Sequence, residues 1–220
     1  MADIFATLRG LVGKRAYASD NEVNFRAGRG GQMIGDYLNG PYYQGAKDEQ
    51  LYHACTTTNA GVAHNVDAEG TVWDIVLRNP SGSGVDAVII EARCGRGTTG
   101  DIGPGVVLWM RAGADTSTTP TGTTMEITGG RVSANAGNQC VPLEAVTVEA
   151  TDGVRMRIAF ELDESLLATA GGDAVHQPAI DRVDGQIIVP PGWYVGLTGE
   201  GDAGASPLLQ YSLTWKEVPI

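Results

Sequence analysis

The segment 208–219 near the C-terminus constrains the fold more than any other part of this chain. Apolar and polar residues alternate along it in the order Leu209, Gln210, Tyr211, Ser212, Leu213, Thr214, Trp215 and Lys216. A period of two with aromatic and branched side chains is typical of an antiparallel strand with one buried face. A second apolar run at 186–197 is interrupted by Pro-Pro-Gly at 190–192, which predicts a sharp corner between two further strands. The C-terminal third therefore predicts a β domain that closes on its own last strand.

Short β-type segments, separated by Gly, Pro and Asn turns, continue through most of the chain. The predicted strands are 50–58, 71–79, 85–94, 106–112, 123–128, 143–150, 154–162, 186–189, 193–199 and 208–217. The turn at 80–84 predicts a hairpin between the second and third of these strands, and Asp152-Gly153 predicts another between the sixth and seventh. A single helix is expected at 163–170, where Gly171-Gly172 would end it.

The fold class predicted from this pattern is all-β. We expect a jelly-roll-like antiparallel β-sandwich over residues 49–220, preceded by an extended N-terminal arm over residues 1–48. Within the second strand, Trp73, Ile75 and Leu77 are expected to face inward. The strongest alternation outside the C-terminus is at 154–162, where Val, Met, Ile, Phe and Leu alternate with Arg, Arg, Ala and Glu.

The first 48 residues differ from the body in pattern. A short amphipathic helix is predicted at 4–12, followed by glycine-punctuated segments without the periodicity of a packed core. A flexible terminus without a task is one interpretation, and an arm that becomes ordered on a partner is the other. The aromatic and basic side chains favour the docking arm, with these candidate partner-binding residues: Phe5, Arg9, Arg15, Phe25, Arg26, Arg29, Tyr37, Tyr42 and Tyr43.

The charge is uneven along the chain. The formal net charge is −11, residues 1–30 carry +2, and the remainder therefore carries −13. An acidic body repels phosphate backbones, so we expect no direct nucleic-acid binding by the main domain. The longest apolar stretches are only a few residues, so no membrane-spanning helix is expected, and the N-terminal residues lack the pattern of a secretory signal.

The sequence contains no recognisable catalytic, phosphate-binding or metal-binding motif. The three cysteines and three histidines show no zinc or other metal-ligand spacing, and no Gly-x-Ser-x-Gly or phosphate-loop motif occurs. We therefore predict no catalytic residues, no metal and no cofactor. Two weaker readings stay open: a glycosidase carboxylate pair among the many acids, and a loose calcium site at Asp101, Glu200 and Asp202, where a turn-forming role is favoured.

The tryptophans bear on binding. Trp73 and Trp215 are predicted to lie in the core, and Trp193 shares a strand face with Val195 and Leu197. Trp109 lies opposite the apolar face of its strand and is expected to be exposed. If Trp109 and Tyr194 are exposed in the monomer, we predict that they become buried between subunits of an oligomer.

Two motifs give the chain a family resemblance. The first is Leu-Arg-Asn-Pro-Ser-Gly-Ser-Gly at 77–84, and the second is Trp-Lys-Glu-Val-Pro at 215–219. In this order and separation, across residues 45–220, they resemble a diffuse family of virion proteins of tailed bacteriophages, in which an L-x-N-P-x-G-S-G hairpin follows the first core strand and W-x-E-x-P ends the chain. The resemblance implies a capsid-associated role such as decoration, a trimeric state and no catalytic residues.

The expectation that follows is a structural protein on the capsid surface, made in the host cytoplasm. It would bind the major capsid protein between capsomers and cement the shell. The alternative is a fibre-head module for host recognition that binds carbohydrate on a jelly roll. The absence of sustained heptads in 1–48 favours decoration, since a fibre head would follow a coiled coil or shaft. An enzyme on a β-sandwich is a third reading.

Overall fold

The computed structural model describes residues 50–64, 70–97, 106–115, 119–130, 137–148, 153–162, 178–200 and 208–220. Within these ranges the chain forms strands, turns and bends only, so the predicted all-β class is confirmed. The predicted helices at 4–12 and 163–170, and the proposed arm at 1–48, lie outside the described residues.

Most strands follow the predicted segments, but the strand predicted at 186–189 begins seven residues earlier, at Ala179. The strands are β1 Leu51–Cys55, β2 Val62–Ala63, β3 Val72–Asn79, β4 Val85–Arg96, β5 Val106–Ala114, β6 Thr121–Thr124, β7 Glu126–Gly129, β8 Val141–Thr147, β9 Val154–Leu162, β10 Ala179–Val189, β11 Trp193–Glu200 and β12 Leu208–Pro219. The predicted strand at 123–128 is divided at Met125, whose side chain is buried in the core. The two-residue β2 was not predicted, because so short a bridge has no periodicity to detect.

Two antiparallel sheets form a sandwich. The first sheet has the order β10-β4-β12-β1-β7, with β2 paired to β12, and the second has the order β6-β8-β3-β11-β5-β9. Eight of these strands form two interlocked sets, β10-β4-β12-β1 and β3-β11-β5-β9. Along the chain they alternate between the sheets except at β5 and β9, which follow each other in the second sheet. This is the strand order of a jelly roll. Strands β6, β7 and β8 are an addition between β5 and β9 that widens both sheets on one side.

Both predicted hairpins are wrong for the same topological reason. β3 and β4 flank the turn at 80–84, yet they lie in different sheets and make no ladder with each other. β8 and β9 share a sheet but are separated by β3, β11 and β5. A glycine-rich turn shows that the chain reverses, whereas the sheet that receives the next strand is decided by long-range packing.

The core lies between the sheets. β12 is the central strand of the first sheet, and its predicted apolar face is buried: Leu209, Tyr211, Leu213 and Trp215 are all within the main hydrophobic cluster. Trp215 stacks on Tyr52 of the adjacent β1, with ring centroids 5.6 Å apart. The alternation that was most legible in the sequence thus belongs to a strand with one face in the core.

Strand β3 departs from simple alternation. Ile75 and Leu77 lie in the main core as predicted, but Trp73 belongs to a second buried cluster together with Val76. The alternation is interrupted at Asp74, whose carboxylate reaches Tyr211 in the interior, next to Ile75. Trp73 is therefore buried as expected, but on the other side of its sheet.

Candidate interaction surface

The first resemblance motif builds a corner that joins the two sheets. Asn79, at the end of β3, is completely buried, and its Nδ2 donates to the carbonyl of Val85 at 2.7 Å and to that of Val189 at 2.8 Å. The backbone N–H of Gly192 donates to the Asn79 carbonyl at 2.8 Å. One asparagine thus connects the corner at 80–84 with the corner at 190–192. Gly192 has a φ of 80°, which a residue with a side chain rarely adopts.

The second resemblance motif places a buried carboxylate. Glu217 is 4% exposed and accepts hydrogen bonds from the backbone N–H groups of Gln139 and Cys140 and from Trp215 Nε1 at 3.1 Å. The glutamate therefore fastens the segment 137–140 to β12. Burial raises the pKa of the Cys140 thiol far above its usual range, and the Glu217 carboxylate raises it further. Both motifs consequently have structural roles in this chain.

A third polar node lies inside the sandwich. Asp74 Oδ2 accepts from the Tyr211 hydroxyl at 2.5 Å and lies 2.8 Å from His64 Nδ1. Burial raises the pKa of the Tyr211 hydroxyl well above its usual value, and the neighbouring Asp74 carboxylate adds to this. The node connects β3, β12 and the residue after β2, and all three side chains are buried. It is closed to substrates, so the geometry favours a structural role.

The outer face of the second sheet carries two aromatic rings that lie over glycines. A Cβ at Gly196 would come within 2.8 Å of the Trp73 ring, and one at Gly113 within 2.4 Å of the Tyr194 ring. Trp73 and Tyr194 meet edge to face at 5.4 Å, and the Arg111 guanidinium lies 5.1 Å from the centroid of a Trp73 ring. Rings that cover glycines restore the contact area that a strand loses where it has no side chain.

The interface prediction for Tyr194 applied only if its side chain is exposed in the monomer. The side chain is instead completely buried, against Trp73 and over Gly113, so this condition is not met. The backbone of Trp109 pairs with Thr198 and Ile158, while its side chain lies outside the described residues. The candidate arm residues Phe5, Arg9, Arg15, Phe25, Arg26, Arg29, Tyr37, Tyr42 and Tyr43 also lie outside them.

Three of the exposed large apolar side chains lie on β9, the last strand of its sheet: Val154 is 74% exposed, Met156 47% and Ile158 53%. Phe160, nearer the C-terminal end of β9, is buried in the main core. Two register shifts against β5 interrupt the strand, so that Ile158 pairs with Trp109 and Arg157 with Met110. The period of two reports a strand with an apolar face, but it does not report whether the covering layer belongs to the same chain. Sequence reasoning missed this surface for that reason.

An ion pair joins the two sheets beside these exposed residues of β9. Arg157 of β9 donates from Nη2 to Asp181 Oδ1 of β10, the end strand of the other sheet. The Asp181 side chain is 5% exposed and that of Arg157 34%. Burial raises the pKa of the Asp181 carboxyl above its ordinary value of 3.8, and Arg157 offsets only part of this effect. The ionised form of Asp181 is therefore costly in the folded state.

The pH dependence of stability should reveal this cost. A raised folded-state pKa gives a stabilising contribution that is fully present below the unfolded value, here 3.8, and is lost as the pH rises through the folded value. We expect Asp181→Asn to equal or exceed the wild type in free energy of unfolding at pH 7. As the pH falls through the raised pKa, the free energy of unfolding of the wild type should rise relative to that of the variant. Urea unfolding between pH 3 and pH 8 measures the difference.

The matched control for this prediction is Glu126→Gln, which removes an exposed carboxylate from β7. It reports the effect of losing one surface charge. A variant at 181 that loses stability at neutral pH and recovers in acid would contradict the assignment, because that is the behaviour of a carboxylate stabilised by its ion pair.

The described ranges were also examined for metal-ligating side chains and reactive thiols. No cluster of three or more His, Cys, Asp or Glu side chains there has the arrangement of a metal site. Cys94 and Cys140 are buried free thiols, and Cys55 is an exposed one on β1. Among the residues searched, no helix has the length and apolar character needed to cross a bilayer.

Comparisons with protein-family models, curated proteins and solved structures found no match to this chain.

Proposed function

We propose that this protein is a structural component of a tailed-phage virion that decorates the outer capsid shell and cements neighbouring capsomers. In this proposal the jelly-roll body is a homotrimer on the capsid surface, and residues 1–48 dock on the major capsid protein. The protein acts by adhesion and carries out no reaction.

The observation that carries the proposal is that the buried polar groups of the body hold its strands together, whereas apolar side chains are exposed. The three buried nodes at Asn79, Glu217 and Asp74 hold strands and corners together, and each is enclosed by the fold. Exposed apolar side chains, in contrast, occur on an end strand, at Val154, Met156 and Ile158 of β9. Exposed apolar surface of this kind is typical of protein–protein contacts.

The resemblance motifs and the charge distribution support the same function. The first motif forms the corner that Asn79 holds, and the second provides Glu217, which fastens the segment 137–140 to β12 and is called the Glu217 latch. The order of the two motifs in the sequence therefore reflects one architecture. An acidic body with a net charge of −13 beyond residue 30 would keep decorated particles soluble and mutually repelling. An extended arm of 48 residues reaches far further than a packed element of the same length.

The deciding experiment locates the protein on purified particles and counts its copies against the major capsid protein by quantitative mass spectrometry. Hundreds of copies per particle are expected for decoration. A dozen or fewer would place the protein at a vertex or tail and overturn the proposal. A variant lacking residues 1–48 should fold but fail to bind particles, and a variant with Arg9, Arg15, Arg26 and Arg29 replaced by alanine should bind more weakly.

One observation favours the alternative of a carbohydrate-binding fibre head. Trp193 is 46% exposed at the corner after residue 192, whereas Trp73 and Trp215 are fully buried. An exposed tryptophan on a rigid corner can stack on a pyranose ring. Glycan-array binding that disappears in Trp193→Ala would support this alternative and count against decoration.

A further inference from the structure

The chain enters the sandwich at one defined point. Gln50 is the first described residue, and its carbonyl accepts a hydrogen bond from the backbone N–H of Glu217 at 2.8 Å. The next residue, Leu51, pairs with Lys216 in the ladder between β1 and β12. The N-terminal arm therefore joins the body beside the C-terminal end of β12, at the same end of the sandwich as the corner at 80–84, since Pro219 pairs with Val85.

A patch of apolar side chains lies beside this point on the outer face of the first sheet. Ile188 of β10 pairs with Val88 of β4, and Val88 pairs with Lys216 of β12, so these three form one row across the sheet. In the next row, Asp86 of β4 pairs with Val218 of β12. The sequence neighbours of Val88 and Ile188 are in the main core, so the alternating residues point outward. These five residues are called the root patch.

The root patch is exposed and has no net charge. Ile188 is 56% exposed and Val218 37%, while Val88 is half-buried between them. Asp86 and Lys216 are also half-buried and contribute one charge of each sign. Adjoining apolar side chains at the surface are typical of a protein contact. Charge does not select the partner here, and the position of the arm does.

The root patch is within the reach of a partner that holds the arm. Tyr42 and Tyr43, the candidate docking residues nearest the body, precede Gln50 by eight and seven residues. Eight residues span at most about 28 Å. Val218 is on the strand next to β1, and Ile188 is three strands from β1, which corresponds to about 14 Å. A protein bound at these tyrosines is therefore held beside the root patch.

We infer that the root patch is a second contact between the body and the protein that binds the arm, and that it seats on an apolar surface of that protein. The inference rests on the proposed function, in which this partner is the major capsid protein. Binding of the arm makes the patch contact intramolecular, with an effective concentration on the order of millimolar. A contact that is weak by itself then contributes fully. It also orients the body, with the first sheet toward the shell.

The first test measures the binding of full-length variants to particles that lack this protein, by co-sedimentation. Ile188→Asp and Val218→Asp should each weaken binding at least about tenfold, because each places a carboxylate in the apolar contact. Circular dichroism checks that the variants are folded.

The matched control is Ile180→Asp. Ile180 is 44% exposed on the same strand and the same outer face, but it pairs with Arg93, five residues along β4 from Val88, or roughly 16 Å away. This variant should bind as tightly as the wild type. Equal binding by all three variants would overturn the inference and leave the proposed function standing. A wild type that does not bind particles would remove the proposed function, and the inference with it.

The second test identifies what covers the patch. A benzophenone amino acid replaces Val218 or, as the control, Ile180, and the full-length protein is irradiated on particles. A cross-link from position 218 to the major capsid protein is expected, with none from position 180. Cross-linking of position 218 to a second copy, or to residues 42–49 of its own chain, would overturn the inference, because another occupant would then hold the root patch.

Discussion

Replacement of Trp73 by alanine should lower the free energy of unfolding by about 4 kcal/mol, which is typical for removing a large buried aromatic side chain. The side chain is fully buried, packs edge to face on Tyr194 and lies beside the Arg111 guanidinium. Its removal also uncovers Gly196 and Gly153, whose Cβ positions the ring approaches within 3 Å. The surrounding strands are fixed by their ladders, so the cavity can collapse only in part.

Trp193→Ala is the matched control, because it removes the same side chain from a position that is 46% exposed. Trp193→Ala should lower the free energy of unfolding by about 1 kcal/mol or less. Both variants can be compared in urea, where the change in midpoint at constant m-value reports stability. Equal losses in the two variants would show that the outer aromatic cluster contributes no special stability.

Replacement of Glu217 by alanine should destabilise the fold by about 3 kcal/mol, because several donors would lose their acceptor together. The backbone N–H groups of Gln139 and Cys140 and the indole N–H of Trp215 all donate to this carboxylate. Cys140 and Trp215 are completely buried, so water cannot readily replace the lost partner. The segment 137–140 should also exchange its amide hydrogens faster, which hydrogen-exchange mass spectrometry measures.

For Glu217 the control is Glu126→Ala, at an exposed glutamate of β7. Its effect on monomer stability should stay within about 0.5 kcal/mol. If Glu217→Ala unfolds at the same urea concentration as the control, the latch contributes nothing, and the W-x-E-x-P motif would need another explanation. Measurement at low protein concentration keeps any effect on oligomer assembly out of the comparison.

The local sequence pattern predicted most strands well because each strand has to place apolar side chains on its own buried face. β9 occupies the predicted 154–162, and β3, β4, β11 and β12 differ from their predicted bounds by two residues at most. The alternation along β12 identified its core face correctly. The Asp181 ion pair and the Glu217 latch were beyond such reasoning, since their partners are 24 and 77–78 residues away in the chain.

The candidate surface was predicted less well than the fold. The alternation along β9 was visible in the sequence, but it does not tell that Val154, Met156 and Ile158 are exposed, because the pattern alone does not say what covers them. Tyr194 was considered for a subunit interface on the condition that it is exposed, and Trp73 and Gly113 enclose it. Burial of a strand residue depends on which strands flank it, and this is a property of the whole sheet.

The sequence by itself determined the period of each strand, the places where the chain turns and the class of the fold, because these depend on neighbours a few residues away. Only the tertiary structure decided that the turns at 80–84 and 190–192 cross between sheets, that Asn79 joins them, and that β9 lies at an edge with its apolar side chains uncovered. These outcomes follow from contacts between distant segments, where the burial gained by the whole sandwich outweighs the local preference for hairpins.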